Sequence, residues 1–189
     1  MNYQFLNAVM LTATIATTFS ACKKDDPPTP VEQELITTLR LDVSGENGFS
    51  KSFSYKIENG FGGGLGGIIQ IDTLRLAPEL TYQVSARVLN EKENPVEDIT
   101  TEVIAERDEH LFLYHSAPAT GAGSITFSNG STDGQSRPFN QTIIFSTGTS
   151  GTGTLTVHLI HAPSDKSGST PGETGGETDV EAVFPVVIQ

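Results

Sequence analysis

Apolar residues recur at every second position through most of this chain, and that period limits the folds open to it. In residues 35–45, Leu35, Leu39, Leu41 and Val43 alternate with polar residues, and residues 49–57 repeat the pattern with Phe, Tyr and Ile. A period of two places apolar side chains on one face of a β-strand. Because glycine-bearing turns separate the two runs, we expect them to form an antiparallel pair.

Runs of the same kind continue to the C-terminus. We therefore predict a mainly β fold, an antiparallel two-layer sandwich of roughly eight or nine strands with one short helix. Pro185 lies inside the last run, which indicates an edge position or a bulge because proline cannot donate a backbone hydrogen bond. Residues 163–178 form a long Gly, Ser, Thr and acidic segment between two strands, and such loops are usually functional or disordered.

The segment LRLAPELTYQVSARVLN, residues 74–90, carries a specific spacing. Leu76, Pro78 and Tyr82 are placed as in the tyrosine corner, which this stretch resembles. In immunoglobulin-like and fibronectin type III sandwiches, that tyrosine hydroxyl bonds to backbone a few residues upstream. The resemblance implies an immunoglobulin/fibronectin-III-like architecture and no particular function.

One helix is predicted over residues 98–107. Asp98 is a suitable cap, and the spacing places Ile99, Val103 and Ile104 on one side. The other side is acidic, and we expect it to be solvated.

The N-terminus indicates export. Residues 1–21 contain no Asp, Glu, Lys or Arg and end in small residues, as in a secretory signal peptide. The run is too short and too rich in threonine for a good membrane-spanning helix. We predict a signal peptide over 1–21, a flexible tether over 22–34 and a single domain over 35–189.

Cys22 is the only cysteine, and it cannot form an internal disulfide. Residues 19–22, Phe-Ser-Ala-Cys, resemble the lipobox of bacterial lipoproteins, which implies that the Cys22 thiol carries the lipid anchor. The charged segment Lys23–Asp26 resembles the export tag of Bacteroidota lipoproteins that are displayed on the cell surface. The resemblance favours surface display over the periplasmic leaflet, and the alternative is a plain solvated linker.

The resemblance extends along nearly the whole chain. LAPELTYQVSARVLNE, ITTEVIAERDEHLFLY, GTLTVHLIHAPSDK and GGETDVEAVFPVVIQ resemble segments of small outer-membrane lipoproteins from flavobacteria. That family implies a location on the outer membrane and no assigned activity.

The composition of the chain limits the classes of partner that it can bind. The chain has 11 basic and 23 acidic residues, a net charge of -12, which argues against nucleic acid and anionic lipid headgroups. It is compatible with cations or neutral ligands. The glycine-rich residues 61–67 lack the Gly-Lys-Ser/Thr ending of a phosphate loop, and the chain contains no Gly-x-Ser-x-Gly motif. We therefore expect no enzymatic activity and no cofactor.

Histidines offer the one candidate site. His115 and His161 each end a predicted strand, and Asp165 follows the second one. If both strand ends lie at the same pole of the sandwich, these three side chains would form a site for Zn²⁺ or Cu²⁺. The alternative is that they are strand-end residues bonded to loop backbone. His158 lies on the polar side of its strand, and we expect it to be exposed; His110 is expected to have no catalytic role.

The expected function is a monomeric binding or accessory module, held on the outer membrane by its lipid and assisting an outer-membrane transporter in uptake of a nutrient or cation. The alternatives are a structural or adhesive surface lipoprotein without a small-molecule ligand, and a small hydrolase.

Overall fold

The structure, a computed structural model, describes residues 35–61 and 67–189. The chain divides into two units, and every described residue belongs to the second, Gln33–Gln189. The predicted signal peptide, Cys22 and the tether lie outside the described residues. Within these residues, no helix is long and apolar enough to cross a membrane.

The described residues form a two-layer β-sandwich, as the sequence predicts. Its elements in chain order are β1 (Thr38–Gly45), a 3₁₀ turn (Glu46–Gly48), β2 (Ser50–Ile57), β3 (Ile68–Ile71), β4 (Leu74–Leu76), β5 (Thr81–Leu89), α1 (Thr100–Ala105), β6 (His110–Ala117), β7 (Ile125–Ser128), β8 (Thr142–Thr147), β9 (Gly151–His161), α2 (Pro171–Thr174) and β10 (Glu177–Ile188). One sheet has the order β3-β2-β1-β5-β8-β7, and the other has the order β4-β10-β9-β6.

Strand pairing follows the predicted alternation. β1 pairs antiparallel with β2, and Leu41 stands opposite Phe53. On its other side β1 pairs with β5, where Leu41 stands opposite Ala86. All three side chains are buried between the sheets. Leu35 departs from the prediction: it precedes β1 and its side chain is 38% exposed.

The core fills the space between the two sheets. It draws fully buried side chains from both layers, among them Phe145 of the six-stranded sheet and Phe112 and Phe184 of the four-stranded sheet. Tyr114 packs edge-to-face on Phe145 with ring centroids 5.6 Å apart. Burying one side chain of this size stabilises the fold by about 1.5–3 kcal/mol, so packing of the two layers dominates stability.

Tyr82 has the geometry of a tyrosine corner. Its side chain is buried, and its hydroxyl accepts a hydrogen bond from the backbone N–H of Ala77 at 2.9 Å. Leu76 is buried beside it, and Pro78 is half-buried. Because β4 belongs to the four-stranded sheet and β5 to the six-stranded one, this bond fixes the chain where it passes between layers.

The predicted helix is present but shorter. α1 begins after Ile99, and Asp98 accepts a hydrogen bond from the backbone N–H of Thr100 at 3.2 Å. Ile99 and Val103 are buried, whereas Ile104 is 40% exposed, so its predicted place on the inner side is wrong. α1 has only six residues, so a single turn of the helix packs against the sandwich.

Two elements were not predicted. β3 directly follows the glycine-rich residues 61–67, and α2 lies within the long segment that follows β9. Pro185 lies in β10, an interior strand of the four-stranded sheet, so the expected edge position is met only locally: β4 pairs with β10 from Val186 to Ile188, after the proline. That β4–β10 pair is parallel and departs from the predicted antiparallel arrangement.

Candidate functional site

The long segment between β9 and β10, residues 162–176, is folded. The backbone N–H groups of Ser164 and Asp165 both donate to the carbonyl of Thr174, at 2.9 and 3.0 Å. Thr174 itself is completely buried. The segment, which we call the β9–β10 loop, thus closes on itself around α2.

A buried ion pair ties this loop to the rest of the sandwich. Lys166 Nζ lies 3.0 Å from Oδ2 of Asp133, and it also donates to the backbone carbonyl of Arg107 at 2.6 Å. The two charged side chains are 2% and 0% exposed. Arg137 completes the cluster through its Nε, 2.9 Å from the same carboxylate oxygen.

These contacts keep Asp133 ionised. Burial alone would raise the pKa of its carboxyl, but hydrogen bonds from the backbone N–H groups of Arg137 and Gln135 and from the side chains of Lys166 and Arg137 lower that pKa well below its usual range. A carboxylate with this many donors is a fixed anchor for the ammonium group.

The β9–β10 loop and the outer face of the four-stranded sheet enclose a cleft of about 250 Å³, which we call the loop cleft. The described residues that line it are Leu113 and His115 from β6, Thr156 and His158 from β9, Glu181 from β10, and Ser169, Thr170 and Pro171 from the loop.

Strand register brings the sheet residues of the cleft together. His158 stands opposite Leu113 of β6 and opposite Glu181 of β10, and His115 stands opposite Thr156. Side chains of directly opposed residues share one face of a sheet. Their neighbours Phe112, Val157 and Ala182 point into the core, so the cleft residues form the outer face.

Burial of the outer face of β6 explains the apolar run in this strand. Leu111, Leu113 and Ile160 form a small buried cluster apart from the main core. A strand that is buried on both faces has a continuous apolar sequence instead of an alternating one. The sequence HLFLY therefore carried a signal that the outer face of this strand is covered.

His158 is covered where we expected it to be exposed. Its side chain is only 14% exposed, and its Nε2 lies 3.9 Å from Oε2 of Glu181. Burial lowers the pKa of His158; Glu181 acts in the opposite direction, and His115 lowers the pKa further. Because its pKa is lowered from an ordinary value that already lies below 7, the His158 imidazole is mainly neutral at pH 7.

The predicted metal site is not assembled. β6 and β9 run antiparallel, so His115 is paired with Thr156, and His161 is paired with His110, five residues away along β6. That separation is about 16 Å at the usual rise of a strand, far beyond shared coordination. Asp165 bonds instead to the Ser167 backbone and hydroxyl, at 2.8 and 2.6 Å. In residues 35–61 and 67–189, no group of three or more His, Cys, Asp and Glu side chains is placed to hold a metal ion.

A histidine contact occurs at the other end of these strands. The rings of His110 and His161 stack with centroids 4.9 Å apart and planes 10° from parallel. His110 Nδ1 also lies 3.1 Å from the backbone carbonyl of Glu106. Burial lowers the pKa of His110; the Glu106 bond opposes that shift, and His161 adds to it.

Comparison with protein-family models, with curated proteins and with solved structures found no match for this chain.

Proposed function

We propose that this protein is a lipid-anchored binding or accessory module of the cell envelope, and that the loop cleft is where it binds. The cleft is the observation that carries the proposal. It joins three strands of a rigid sheet to a loop that is itself fixed, and loops held on rigid scaffolds are common places for binding.

The chemistry of the cleft supports binding more than catalysis. Ser169 donates its hydroxyl hydrogen to Oε2 of Glu173 at 2.8 Å, so it is paired with a carboxylate and not with an imidazole. His158 and Glu181 are 3.9 Å apart, too far for the hydrogen bond by which a carboxylate orients a catalytic base. These contacts suit recognition of a ligand that stays chemically unchanged.

The anchor and location rest on the sequence. The segment that ends at Cys22 resembles a lipobox, and the acidic chain suits a surface-exposed outer-membrane protein that passes a nutrient or cation to a transporter. Replacing Cys22 by Ser should move the protein from the membrane fraction to the soluble fraction or leave it unprocessed. Unchanged recovery in membranes would contradict the anchor.

Binding is tested separately by NMR on the full chain with isotope-labelled histidine. A library of amines, sugars, amino acids and carboxylates is titrated while the ring signals of His115 and His158 are followed, with His110 as the internal reference. At least one compound should shift the two cleft signals saturably and leave His110 in place. If no compound shifts the ring signals, or if all three rings shift equally, the cleft is not a binding site.

A matched pair of variants confines the effect to the cleft. Thr156 lines it, whereas Thr154 lies two residues earlier on the same face of β9 and does not. Thr156→Phe should abolish the response and Thr154→Phe should preserve it. The opposite result, or loss in both, would place binding elsewhere.

A further inference from the structure

We infer that the loop cleft takes a small organic cation, an ammonium group carried on a short aliphatic body. This inference rests on the proposed function and adds the chemical class of the ligand. It is drawn from three properties of the cleft: its charge, its hydrogen-bond acceptors and its apolar walls.

The charge of the cleft is negative. Glu181 is an acid, and none of the described residues that line the cleft is a lysine or arginine. The whole chain carries a net charge of -12, so the surrounding field adds to the local one. A ligand anion would be repelled by Glu181 and by the net charge of the chain.

The carboxylate of Glu181 is available. Its side chain is 63% exposed, and its approach to His158 at 3.9 Å is longer than a hydrogen bond. Within the described part of the chain, no hydrogen bond engages this carboxylate. An ammonium group beside Glu181 would form a charge-assisted hydrogen bond, which is stronger than a neutral one.

The other polar groups of the cleft can accept hydrogen bonds. A neutral imidazole presents one nitrogen lone pair, and a hydroxyl presents two. His158 and Thr156 are neighbours on the same face of β9, with Thr170 on the loop side. The several N–H donors of an ammonium group match this arrangement.

Apolar side chains fit the rest of such a ligand. Leu113 forms part of the sheet side of the cleft, and Pro171 forms part of the loop side. Val183 lies two residues after Glu181 on β10 and is 39% exposed, so apolar surface continues away from the carboxylate. Methylene groups next to the ammonium would bury against this surface.

Three four-carbon probes separate the classes of ligand: 1,4-diaminobutane, 1,4-butanediol and succinate. They share one aliphatic body and differ in the charge of their ends. In titrations of the full chain, followed at the His115 and His158 rings, only the diamine should give saturable shifts. Because the attraction is electrostatic, its affinity should fall as salt rises.

Charge-neutral variants locate the interaction. Glu181→Gln should weaken diamine binding by about tenfold or more, since a hydrogen bond to a charged group is lost. Glu177→Gln, on an exposed glutamate of the same strand, should leave binding within about twofold because screening weakens distant surface charges.

Failure of this inference differs from failure of the proposed function. Equal binding of the diol, binding of succinate, or diamine binding that survives Glu181→Gln would overturn the cation class while leaving a binding cleft. No shift with the diamine at millimolar concentration would also overturn it. The cleft is ruled out as a binding site only if no compound of the broader library shifts the His115 and His158 signals.

Discussion

Lys166 reaches across 33 residues of sequence to Asp133, and the resulting ion pair is almost completely buried. It joins the β9–β10 loop to the segment that precedes β8. The backbone carbonyl of Arg107, just after α1, accepts a second hydrogen bond from the same ammonium group. One side chain therefore holds the loop against two separate parts of the sandwich, and the loop cleft depends on that position.

Removing the ammonium should destabilise the fold. Lys166→Met keeps most of the buried side chain but leaves the Asp133 carboxylate with fewer partners, and breaking a buried pair typically costs about 3 kcal/mol. Denaturant unfolding measures the change. The control is Lys92→Met, on an exposed lysine whose Nζ donates to the side-chain carbonyl of Asn59 at 3.2 Å. Equal midpoints for the two variants would contradict a structural role for the buried pair.

Stability should fall as the pH drops below about 6.5. Burial lowers the pKa of His110 and of His158, so the unfolded chain takes up protons that the folded chain does not. Their contribution is complete above the unfolded pKa and declines as pH falls toward the folded pKa. Asp133, whose pKa is also lowered, adds a further loss below about pH 4.

Urea unfolding between pH 7.5 and 5 checks this dependence. One such histidine contributes at most about 1.4 kcal/mol per pH unit. His110→Phe keeps an aromatic ring against His161 and should flatten the slope. A free energy of unfolding that rises toward pH 5, or an unchanged slope in His110→Phe, would contradict the assignment.

Tyr82→Phe should cost about 1 kcal/mol, because the Ala77 N–H loses its acceptor where the chain crosses between sheets. Tyr55→Phe is the control: its ring is buried, but its hydroxyl forms no hydrogen bond in the described residues. It should stay within about 0.5 kcal/mol of the unmodified protein. A larger loss for Tyr55→Phe would show that packing, and not the corner bond, sets the effect.

Gly176→Ala should strain the point where the β9–β10 loop enters β10. Gly176 has φ +82, and a Cβ there would collide with the carbonyl oxygen of His161. Gly121 has a similar φ of +85 but open space around it. Gly121→Ala should cost about 1–2 kcal/mol from backbone conformation alone, and Gly176→Ala should cost clearly more. Equal losses in thermal unfolding would show that the close approach is unimportant.

Local patterns predicted the layers of this fold. Alternation placed Leu39, Leu41 and Val43 in the core, and the spacing around Tyr82 anticipated a bond that joins residues only five apart. β3 was not predicted, because four residues after a glycine-rich segment are too few to show the alternation of a strand.

The candidate site could not be predicted, because it is built by contacts between residues that are far apart in the sequence. His115 lies near the C-terminal end of β6 and His161 at the C-terminal end of β9, and neighbouring antiparallel strands end at opposite poles. Sequence alone did not show that these strands are neighbours. Likewise, no local signal links Lys166 to Asp133, so the buried ion pair that fixes the β9–β10 loop was not predicted.

Amide hydrogen exchange tests most directly whether the β9–β10 loop is a fixed wall of the cleft. Backbone N–H groups of Ser164, Asp165 and Thr174 each donate to a backbone carbonyl, whereas the exposed Glu93 has no such bond in the described residues. We expect strong protection at the three loop amides, loss of that protection in Lys166→Met, and fast exchange at Glu93. Exchange of the three loop amides as fast as that of Glu93 in the unmodified protein would contradict it.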